Sequence, residues 1–339
     1  MIPLLKEVGR GKRGARDLTY EESLYAADQI LNQKATPAQV GAFFIAERIK
    51  MESVEEIEAF VHVCRNAAYR EYEHGGIDLA GPYDGRKKSF FATFASAFVL
   101  AAAGLPVTLH GMASLPPKWG ITLHDLLTEI GIRPSSLEKD TIVGAAKETG
   151  VLYVPAEQWC PPLLELRPIR EQLGMRTVLN SAEKLIDYGS SPFLVFGVYH
   201  NTVFDRLSRL MSKLAYRRAL IVQGTEGSED LHIDRPTRTY VVEDGTASLQ
   251  VVDPETWGLD TPVPEVAWTP ASQIRTAEAV LKGDGELGFF HQVLLNSAYR
   301  LHLAEKVDSV EEGLYACKAA LDSGGAWNAY EQWRNALLH

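Results

Sequence analysis

Cysteine is scarce in this sequence, which has only Cys64, Cys160 and Cys317 among its 339 residues. Three cysteines this far apart exclude a CxxC metal clip and a disulfide framework, and they are typical of a protein of the reducing cytoplasm. A membrane span is also lacking, because the most hydrophobic stretch, residues 90–103, is too short for one. The N-terminus does not have the basic region and long apolar run of a signal peptide. We therefore expect a cytoplasmic protein that does not bind membranes.

Positive charge is scarce as well. The chain has 34 Lys and Arg against 44 Asp and Glu, which gives a formal net charge of −10. This balance excludes a global positive field that would attract nucleic acid, so any binding to phosphate groups must rely on local basic patches. The overall composition, with 46% hydrophobic residues, is that of a globular protein with a sizeable core. At about 150 residues per domain, the length allows two domains.

The first part of the sequence carries three helix-start signals. Capping boxes occur at residues 19–22 (Thr-Tyr-Glu-Glu), 36–39 (Thr-Pro-Ala-Gln) and 53–56 (Ser-Val-Glu-Glu), and apolar residues follow each of them at helical spacing. These signals predict a small helical domain over residues 1–72. Two glycines at residues 75–76 then mark a hinge.

The rest of the chain, residues 73–339, alternates short β-rich runs with helical patterns. Alternation of this kind predicts βαβ units and a mainly parallel central sheet. Predicted strands cover residues 106–110, 151–154, 193–199, 218–223 and 238–242, an amphipathic helix lies between residues 199 and 218, and a capped helix begins at Ser309. The predicted fold is therefore α/β, with a small N-terminal helical domain and a large α/β domain.

One candidate site is the loop at residues 78–88, which contains Gly81, Asp84 and Gly85 and leads into the apolar helix. A glycine-containing loop between a strand and a helix N-terminus can hold phosphate through its backbone N–H groups. It can equally be a tight structural turn, since Pro82 removes one of the donors that a phosphate loop needs. Both interpretations remain open at this point.

Three further groups have both a functional and a structural interpretation. His110 ends a predicted strand, at the sheet edge where sites gather, but a histidine there can also be purely structural. Glu229 and Asp230 are either solvated acids or a pair that binds Mg²⁺ to a substrate phosphate. The arginine-rich stretch at residues 167–176 can hold a carboxylate or phosphate, or it can form surface ion pairs.

Taken together, these segments resemble the anthranilate phosphoribosyltransferase family, whose fold is shared with pyrimidine nucleoside phosphorylases, over nearly the whole chain. The segments that carry the resemblance are residues 18–22, 36–44, 97–104, 110–111, 167–180, 280–283, 294–298 and 309–313. The stretch 167–180 (Arg-Pro-Ile-Arg-Glu-Gln-Leu-Gly-Met-Arg-Thr-Val-Leu-Asn) is the most specific of them. The resemblance implies a homodimer formed through the helical domain, with a segment near residues 168–190 packed against that domain.

The family's active-site motifs are only partly kept. Its Gly-Thr-Gly-Gly-Asp phosphate loop corresponds to residues 81–85, which read Gly-Pro-Tyr-Asp-Gly. Its Asn-x-Ser-Thr corresponds to residues 91–94 (Phe-Ala-Thr-Phe), and its Lys-His-Gly-Asn to residues 109–112 (Leu-His-Gly-Met). The resemblance implies ligand contacts from Gly81, Asp84, Gly85, Thr93, His110, Gly111, Asn180 and Arg170, the last of which matches the arginine that contacts anthranilate. It also implies Mg²⁺ at Glu229 and Asp230, the reverse of the family's Asp-Glu pair, and it leaves the catalytic residues unassigned.

Losses of this extent predict a loss of activity, because phosphoribosyl transfer relies on positioning and charge neutralisation. The pattern is similar to divergent paralogues of the family, some of which are associated with nucleic-acid binding. Residues 9–16 are either a solvated segment or a footprint for single-stranded nucleic acid formed by Arg10, Lys12, Arg13 and Arg16. We expect a degenerate phosphoribosyltransferase-like protein that binds a phosphorylated small molecule or nucleic acid. The alternatives are an active transferase or phosphorylase with an altered substrate, and anthranilate phosphoribosyltransferase itself.

Overall fold

Within the described residues, 1–11 and 13–338 of a computed structural model, the chain forms a seven-stranded sheet of order β3-β2-β1-β4-β5-β6-β7. The strands are β1 (Ile77–Ala80), β2 (Val107–Gly111), β3 (Val151–Pro155), β4 (Phe193–Gly197), β5 (Arg218–Val222), β6 (Thr237–Glu243) and β7 (Thr246–Val252). The first five pair in parallel, whereas β6 and β7 add an antiparallel hairpin at one edge. The sheet is thus mainly parallel, as the alternating pattern predicts.

The N-terminal helices precede this sheet. They are α1 (Ile2–Val8), α2 (Tyr20–Leu31), α3 (Pro37–Lys50) and α4 (Val54–Ala67). Thr19, Thr36 and Ser53 cap the last three, each in a reciprocal capping box. Phe43 of α3 packs against Phe60 of α4, with ring centroids 6.1 Å apart. The capping signals are confirmed, and apolar packing between the helices follows from the spacing behind them.

Helices also surround the sheet. They are α5 (Ala92–Ala102), α6 (Leu123–Glu129), α7 (Lys139–Thr149), α8 (Ala156–Trp159), α9 (Pro161–Leu173), α10 (Leu179–Ala182), α11 (Phe204–Lys213), α12 (Pro270–Leu281), α13 (Leu287–Leu303), α14 (Val310–Asp322) and α15 (Gly325–Leu338). The apolar α5 lies in the core, where α13 and α15 pack against it. Helices α9 and α10 return to the N-terminal helices, and Arg65 of α4 donates to the Leu185 carbonyl at 2.9 Å.

Several elements were not predicted from the sequence pattern, among them β1, β7 and α15. Strand β1 is four residues long and contains a charged side chain, Asp78. Strand β7 exposes six of its seven residues, so it lacks the alternation of a half-buried strand. Its hairpin turns at Asp244 and Gly245, whose positive φ values of 49° and 73° are those of a tight Asp-Gly turn. Helix α15 packs Trp333 against Phe98 of α5, with ring centroids 5.2 Å apart.

The strand order decides where a site can form. Parallel strands end at the same edge of a sheet, so the loops after β1, β2, β4 and β5 lie side by side at that edge. The cysteines Cys64, Cys160 and Cys317 are buried free thiols. Of the helices described, none is long and apolar enough to cross a membrane.

Candidate functional site

A cleft runs along this edge of the sheet, beside the N-terminal helices. Its inner cavity of about 380 Å³ is lined by residues that include Arg48 of α3, Tyr83, Asp84, Asn180 and Lys184. Its outer cavity of about 1120 Å³ is lined by the loops after β2, β4 and β5. The two cavities share Arg176, Tyr199, His200 and Glu226, so they form one continuous cleft.

Arg86 is the centre of a buried charge cluster beneath the loop after β1. Its side chain is 1% exposed, and its Nη2 donates to Glu229 Oε1 at 2.7 Å. Its Nη1 donates to Asp230 Oδ2 and, at 2.9 Å, to the carbonyl oxygen of Phe90. The ring centroid of Phe91 lies 4.1 Å from the guanidinium carbon. Arg86 therefore bridges the two acids that the sequence predicts as a metal site.

A second arginine closes the other side of the cluster. Arg300 of α13 donates through Nη2 to Asp230 Oδ1 at 2.8 Å and to Thr93 Oγ1 at 3.0 Å. Thr93 in turn donates to Asp230 Oδ1 at 2.7 Å. Burial by itself raises the pKa of Asp230, but Arg86 and Arg300 outweigh it and hold that pKa below its ordinary value. The hydroxyl of Thr93 therefore holds Asp230 rather than a ligand.

As these side chains stand, they do not fit a magnesium ion. Two carboxylates face two guanidinium groups, so the cluster is formally neutral. The remaining oxygen, Glu229 Oε2, accepts no hydrogen bond from the described part of the chain and faces Gly81, where an added Cβ would lie 2.5 Å away. Residues 1–11 and 13–338 contain no group of three or more His, Cys, Asp or Glu that could hold a metal ion. Mg²⁺ requires open oxygen ligands, which the predicted pair, Glu229 and Asp230, does not offer.

Asp84 lies between two cations where the cavities meet. Its Oδ2 accepts from Arg176 Nε at 3.1 Å and Nη2 at 2.7 Å, and Lys118 Nζ lies 3.0 Å from Oδ1. The next residue, Gly85, has a φ of 79°, and an added Cβ there would lie 2.4 Å from the backbone of Gly120. The loop thus needs Gly85 for its shape, and it places a carboxylate against two cations of the cleft.

His110 and Gly111 end β2 inside the protein. His110 Nδ1 lies 2.6 Å from Tyr83 Oη, and His110 Nε2 lies 2.8 Å from Asp78 Oδ1. All three side chains are buried. Burial, with a smaller contribution from Glu183, raises the pKa of Tyr83 well above its ordinary value, so the hydroxyl stays neutral. His110 therefore makes its hydrogen bonds within the protein, and Tyr83 separates it from the inner cavity.

Arg170 of α9 is held by an internal partner. Its Nη1 and Nη2 donate to the two carboxylate oxygens of Glu183 at 2.6 Å and 3.0 Å, and both residues are buried. A ligand contact from Arg170 therefore stays a prediction, and such a ligand would have to share this guanidinium group with Glu183 or displace Glu183 from it. Asn180 lines the inner cavity, as expected for a site residue, although its Oδ1 accepts from the Thr177 backbone at 2.9 Å.

The outer cavity carries a concentration of positive charge. We call its five cationic side chains the basic basin: Lys88, Lys118, Arg176, Arg235 and Arg238. The carboxylate of Glu226 also lines this cavity, but it accepts from the backbone N–H groups of Lys87 and Lys88 at 2.9 Å and 2.8 Å. Burial, together with Arg235, lowers the pKa of His232 to about 4, so that side chain is neutral. Asp84 pairs with Lys118 and Arg176, and Asp234 lies 2.8 Å from Arg235. With Glu226, three carboxylates face the five cations, so the basin keeps a small positive excess on a chain of net charge −10.

The N-terminal basic segment is partly neutralised. Arg10 and Arg16 form ion pairs with Glu7 at 2.7 Å and 3.1 Å. Arg13 is exposed, and Lys12 lies outside the described residues. The nucleic-acid footprint stays a prediction, with less free charge than the sequence indicates.

Comparison with known proteins covers both parts of this architecture. A glycosyl transferase family model for the helical bundle domain matches residues 2–68, and one for the a/b domain matches residues 81–327. The anthranilate phosphoribosyltransferase of Symbiobacterium thermophilum is 31% identical over 98% of this chain and 97% of its own. The chain belongs to the anthranilate phosphoribosyltransferase family. The Synechococcus elongatus member of this family is also 31% identical, over 90% of this chain and 88% of its own.

Solved structures of the family share the fold. The Thermus thermophilus anthranilate phosphoribosyltransferase aligns with a TM-score of 0.85 over 99% of both chains, at 24% identity. The Saccharomyces cerevisiae enzyme, in complex with phosphoribosyl pyrophosphate (PRPP) and Mg, aligns with a TM-score of 0.81 over 99% of this chain and 97% of its own, at 18% identity. These likenesses confirm the predicted fold, a small helical domain joined to a large α/β domain with a mainly parallel sheet.

Several residues of the cleft were not singled out from the sequence. Lys118 lies in the loop after β2 and Arg235 in the loop after β5, so the rule that sites gather at the carboxyl ends of parallel strands would have pointed to both. Arg238 is the second residue of β6, to which that rule does not apply. Arg300 gave no such signal, because a basic residue in the last turn of a helix is ordinarily explained by the helix terminus itself. The sequence indicates only that Tyr83 departs from the family's glycine-rich loop, and it gives no sign of the hydrogen bond to His110.

Proposed function

We propose that this protein binds a phosphate-bearing anion in the basic basin and does not act in tryptophan biosynthesis. The observation that carries this proposal is the basin itself, in which five cationic side chains outnumber the carboxylates of Asp84, Glu226 and Asp234 around an open cavity of about 1120 Å³. Positive charge gathered at one cleft of an acidic chain favours an anionic ligand there, since clefts lined by one sign of charge concentrate ions of the other. A phosphorylated small molecule and single-stranded nucleic acid both meet this description.

The inner part of the cleft supports binding without phosphoribosyl transfer. Transfer of this kind requires donors aimed at the diphosphate that leaves, and the loss of one such donor costs about 3 kcal/mol of transition-state stabilisation. Here His110 is bonded to Tyr83 and Asp78, and Thr93 is bonded to Asp230. Two or three such losses together would lower the rate by many orders of magnitude.

A second function is favoured by a specific observation. The whole-length identity of 31% to the Symbiobacterium thermophilum enzyme supports phosphoribosyl transfer, with anthranilate or an altered acceptor as substrate. This alternative requires that an incoming ligand separate Arg176 and Lys118 from Asp84 and open the Arg86 cluster.

Binding experiments on charge variants test the first proposal. The double variant Lys88→Gln/Arg238→Gln removes two exposed cations of the basin, and Arg133→Gln/Lys306→Gln removes two exposed cations elsewhere. We expect the basin variant to bind PRPP or an oligothymidylate of about 20 nucleotides at least about tenfold more weakly, while the control binds like the unmodified protein. Equal affinity in all three proteins would contradict the proposal.

Salt dependence separates the two ligand classes. A nucleic acid that neutralises both cations should lose about 1.4 from the slope of log K against log salt in the basin variant, since each contact with a single strand contributes about 0.7. A compact phosphorylated molecule should bind with lower salt dependence and should compete with the oligonucleotide. Deletion of residues 1–16 then measures how much Arg10, Arg13 and Arg16 contribute to the affinity for the oligonucleotide and to its salt dependence.

We also propose a homodimer formed through the helical domain. Ile2 of α1, Ile49 of α3 and Leu164 of α9 are half exposed or more, and α3 contacts both α1 and α9. An exposed apolar surface of this kind supports association between two copies of the chain.

A further inference from the structure

We propose that Arg86 permanently occupies the place of a divalent cation in this cleft, so that the protein handles its anionic ligand without a metal. The first part of this statement stands on the geometry of the Arg86 cluster. Only the second part rests on the proposed function, because it concerns the ligand of the basic basin.

The position of Arg86 carries the first step. Its guanidinium group bridges two neighbouring carboxylates, with Nη2 on Glu229 Oε1 at 2.7 Å and Nη1 on Asp230 Oδ2. A cation shared by these two acids would have to sit between the same oxygens. The guanidinium group is buried, and it lies against the ring of Phe91 at 4.1 Å and donates to the Phe90 carbonyl, so it is fixed from several directions.

The charge balance gives the second step. Arg300 holds Asp230 from the opposite side at 2.8 Å, so two positive charges face two negative charges in one buried cluster. A further dication would leave that cluster with an excess of two positive charges in a region of low polarity, which is strongly unfavourable. Glu229 Oε2 accepts no hydrogen bond from the described residues and lies close to Gly81, so the pair offers a metal ion only one open oxygen ligand.

Removal of Arg86 should reverse this balance. Without its guanidinium group, Glu229 and Asp230 would face only Arg300, leaving one net negative charge and an emptied space between two carboxylates. Mn²⁺ and Mg²⁺ bind to carboxylate oxygens of this kind, and the net negative charge favours a cation there. We therefore expect Arg86→Ala to gain a metal site that the unmodified protein does not have.

Electron paramagnetic resonance of Mn²⁺ tests this directly, because bound and free Mn²⁺ give different signals. With Mn²⁺ up to about 1 mM, the unmodified protein should leave the signal of free Mn²⁺ unchanged, whereas Arg86→Ala should bind about one ion per chain. The double variant Arg86→Ala/Glu229→Gln is the matched control and should lose that ion again. A thermal melt of each variant shows whether it is folded.

Two outcomes would overturn the inference. One is a stoichiometric Mn²⁺ site in the unmodified protein that Glu229→Gln removes. The other is a folded Arg86→Ala variant that binds no more Mn²⁺ than the unmodified protein. If Arg86→Ala does not fold, Arg86→Gln replaces it, and the titration of the unmodified protein still decides the first outcome.

The role of the metal in ligand binding is measured separately. Affinity of the basic basin for the oligothymidylate should be the same in EDTA as in buffer that contains Mg²⁺, at matched ionic strength. A loss of affinity in EDTA would contradict the inference while leaving the basin as the binding site. Absence of any binding to the basin would instead contradict the proposed function and would not alter the Mn²⁺ result.

Discussion

Tyr83 Oη lies 2.6 Å from His110 Nδ1, so a residue that lines the inner cavity also holds the buried histidine behind it. The other ring nitrogen of His110 is 2.8 Å from Asp78 Oδ1, so the imidazole is held at both ends by protein groups. Tyr83 comes from the loop after β1, and its ring closes the space between this loop and β2. His110, which the family resemblance predicts as a ligand contact, thus belongs to a buried hydrogen-bonded chain.

Tyr83→Phe should destabilise the protein without weakening anion binding. The substitution leaves a buried ring nitrogen of His110 without its partner, which costs about 1–3 kcal/mol. Urea unfolding of the variant should show this loss, and titration of the basin ligand should give an unchanged affinity. Reduced affinity at unchanged stability would mean that Tyr83 contacts the ligand.

Arg170→Ala should be severely destabilising. It leaves the carboxylate of Glu183 buried without its counter-ion, for which about 3–5 kcal/mol is typical. The double variant Arg170→Met/Glu183→Leu removes both charges and should recover much of that loss. Denaturant unfolding measures the free energy of unfolding of both variants and of the unmodified protein. An Arg170→Ala protein that melts normally but loses ligand affinity would restore the role implied by the family resemblance.

Lys184 should make stability depend on pH. Burial lowers its pKa to about 7, and Glu229 and Asp84 offset this only in part. Its Nζ donates to the Gly197 carbonyl at 2.7 Å. Between pH 7 and the ordinary lysine pKa, the unfolded chain binds more protons than the folded one, so the free energy of unfolding rises with pH. Below pH 7 the lysine is charged in both states, and its full destabilising effect is present.

The measurement for Lys184 is a series of unfolding curves from pH 6 to pH 10. The unmodified protein should gain at most about 4 kcal/mol over this range from this residue, and Lys184→Met should lack that gain. Lys306→Met, which replaces an exposed lysine, should follow the unmodified protein. Parallel curves for all three proteins would show that Lys184 keeps an ordinary pKa.

Ile49→Asp should convert a dimer into a monomer. The side chain of Ile49 is 56% exposed on α3, on the surface that α1 and α9 extend. Sedimentation velocity measures the change, and Tyr315→Asp, on a side chain that is 77% exposed on α14, is the control. A monomeric unmodified protein, or a dimer unaffected by Ile49→Asp, would contradict association through this face.

The sequence predicted the fold well because its signals are local. Capping boxes at Thr19, Thr36 and Ser53 mark helix starts within four residues, and the five predicted strands were short apolar runs between helical patterns. Strand β7 was not predicted because it is exposed and has no alternation of apolar and polar residues.

The site could be predicted only in part, because its decisive contacts are distant in sequence. Arg86 and Glu229 are 143 residues apart, and Arg300 is 70 residues from Asp230. The sequence pointed to the right loops, and Asp84 and Asn180 do line the cleft. It could not show that internal partners take the side chains of His110, Arg170 and Asp230.

The most direct test of the account is phosphoribosyl transfer itself. Anthranilate is fluorescent, so its consumption can be followed after mixing with the protein, PRPP and Mg²⁺, with the Thermus thermophilus relative as positive control. We predict a rate at least about 10⁴-fold below an ordinary turnover of about 10 s⁻¹, since several transition-state donors are bonded internally. Turnover within about tenfold of the control enzyme would contradict the account and would establish the chain as a working transferase.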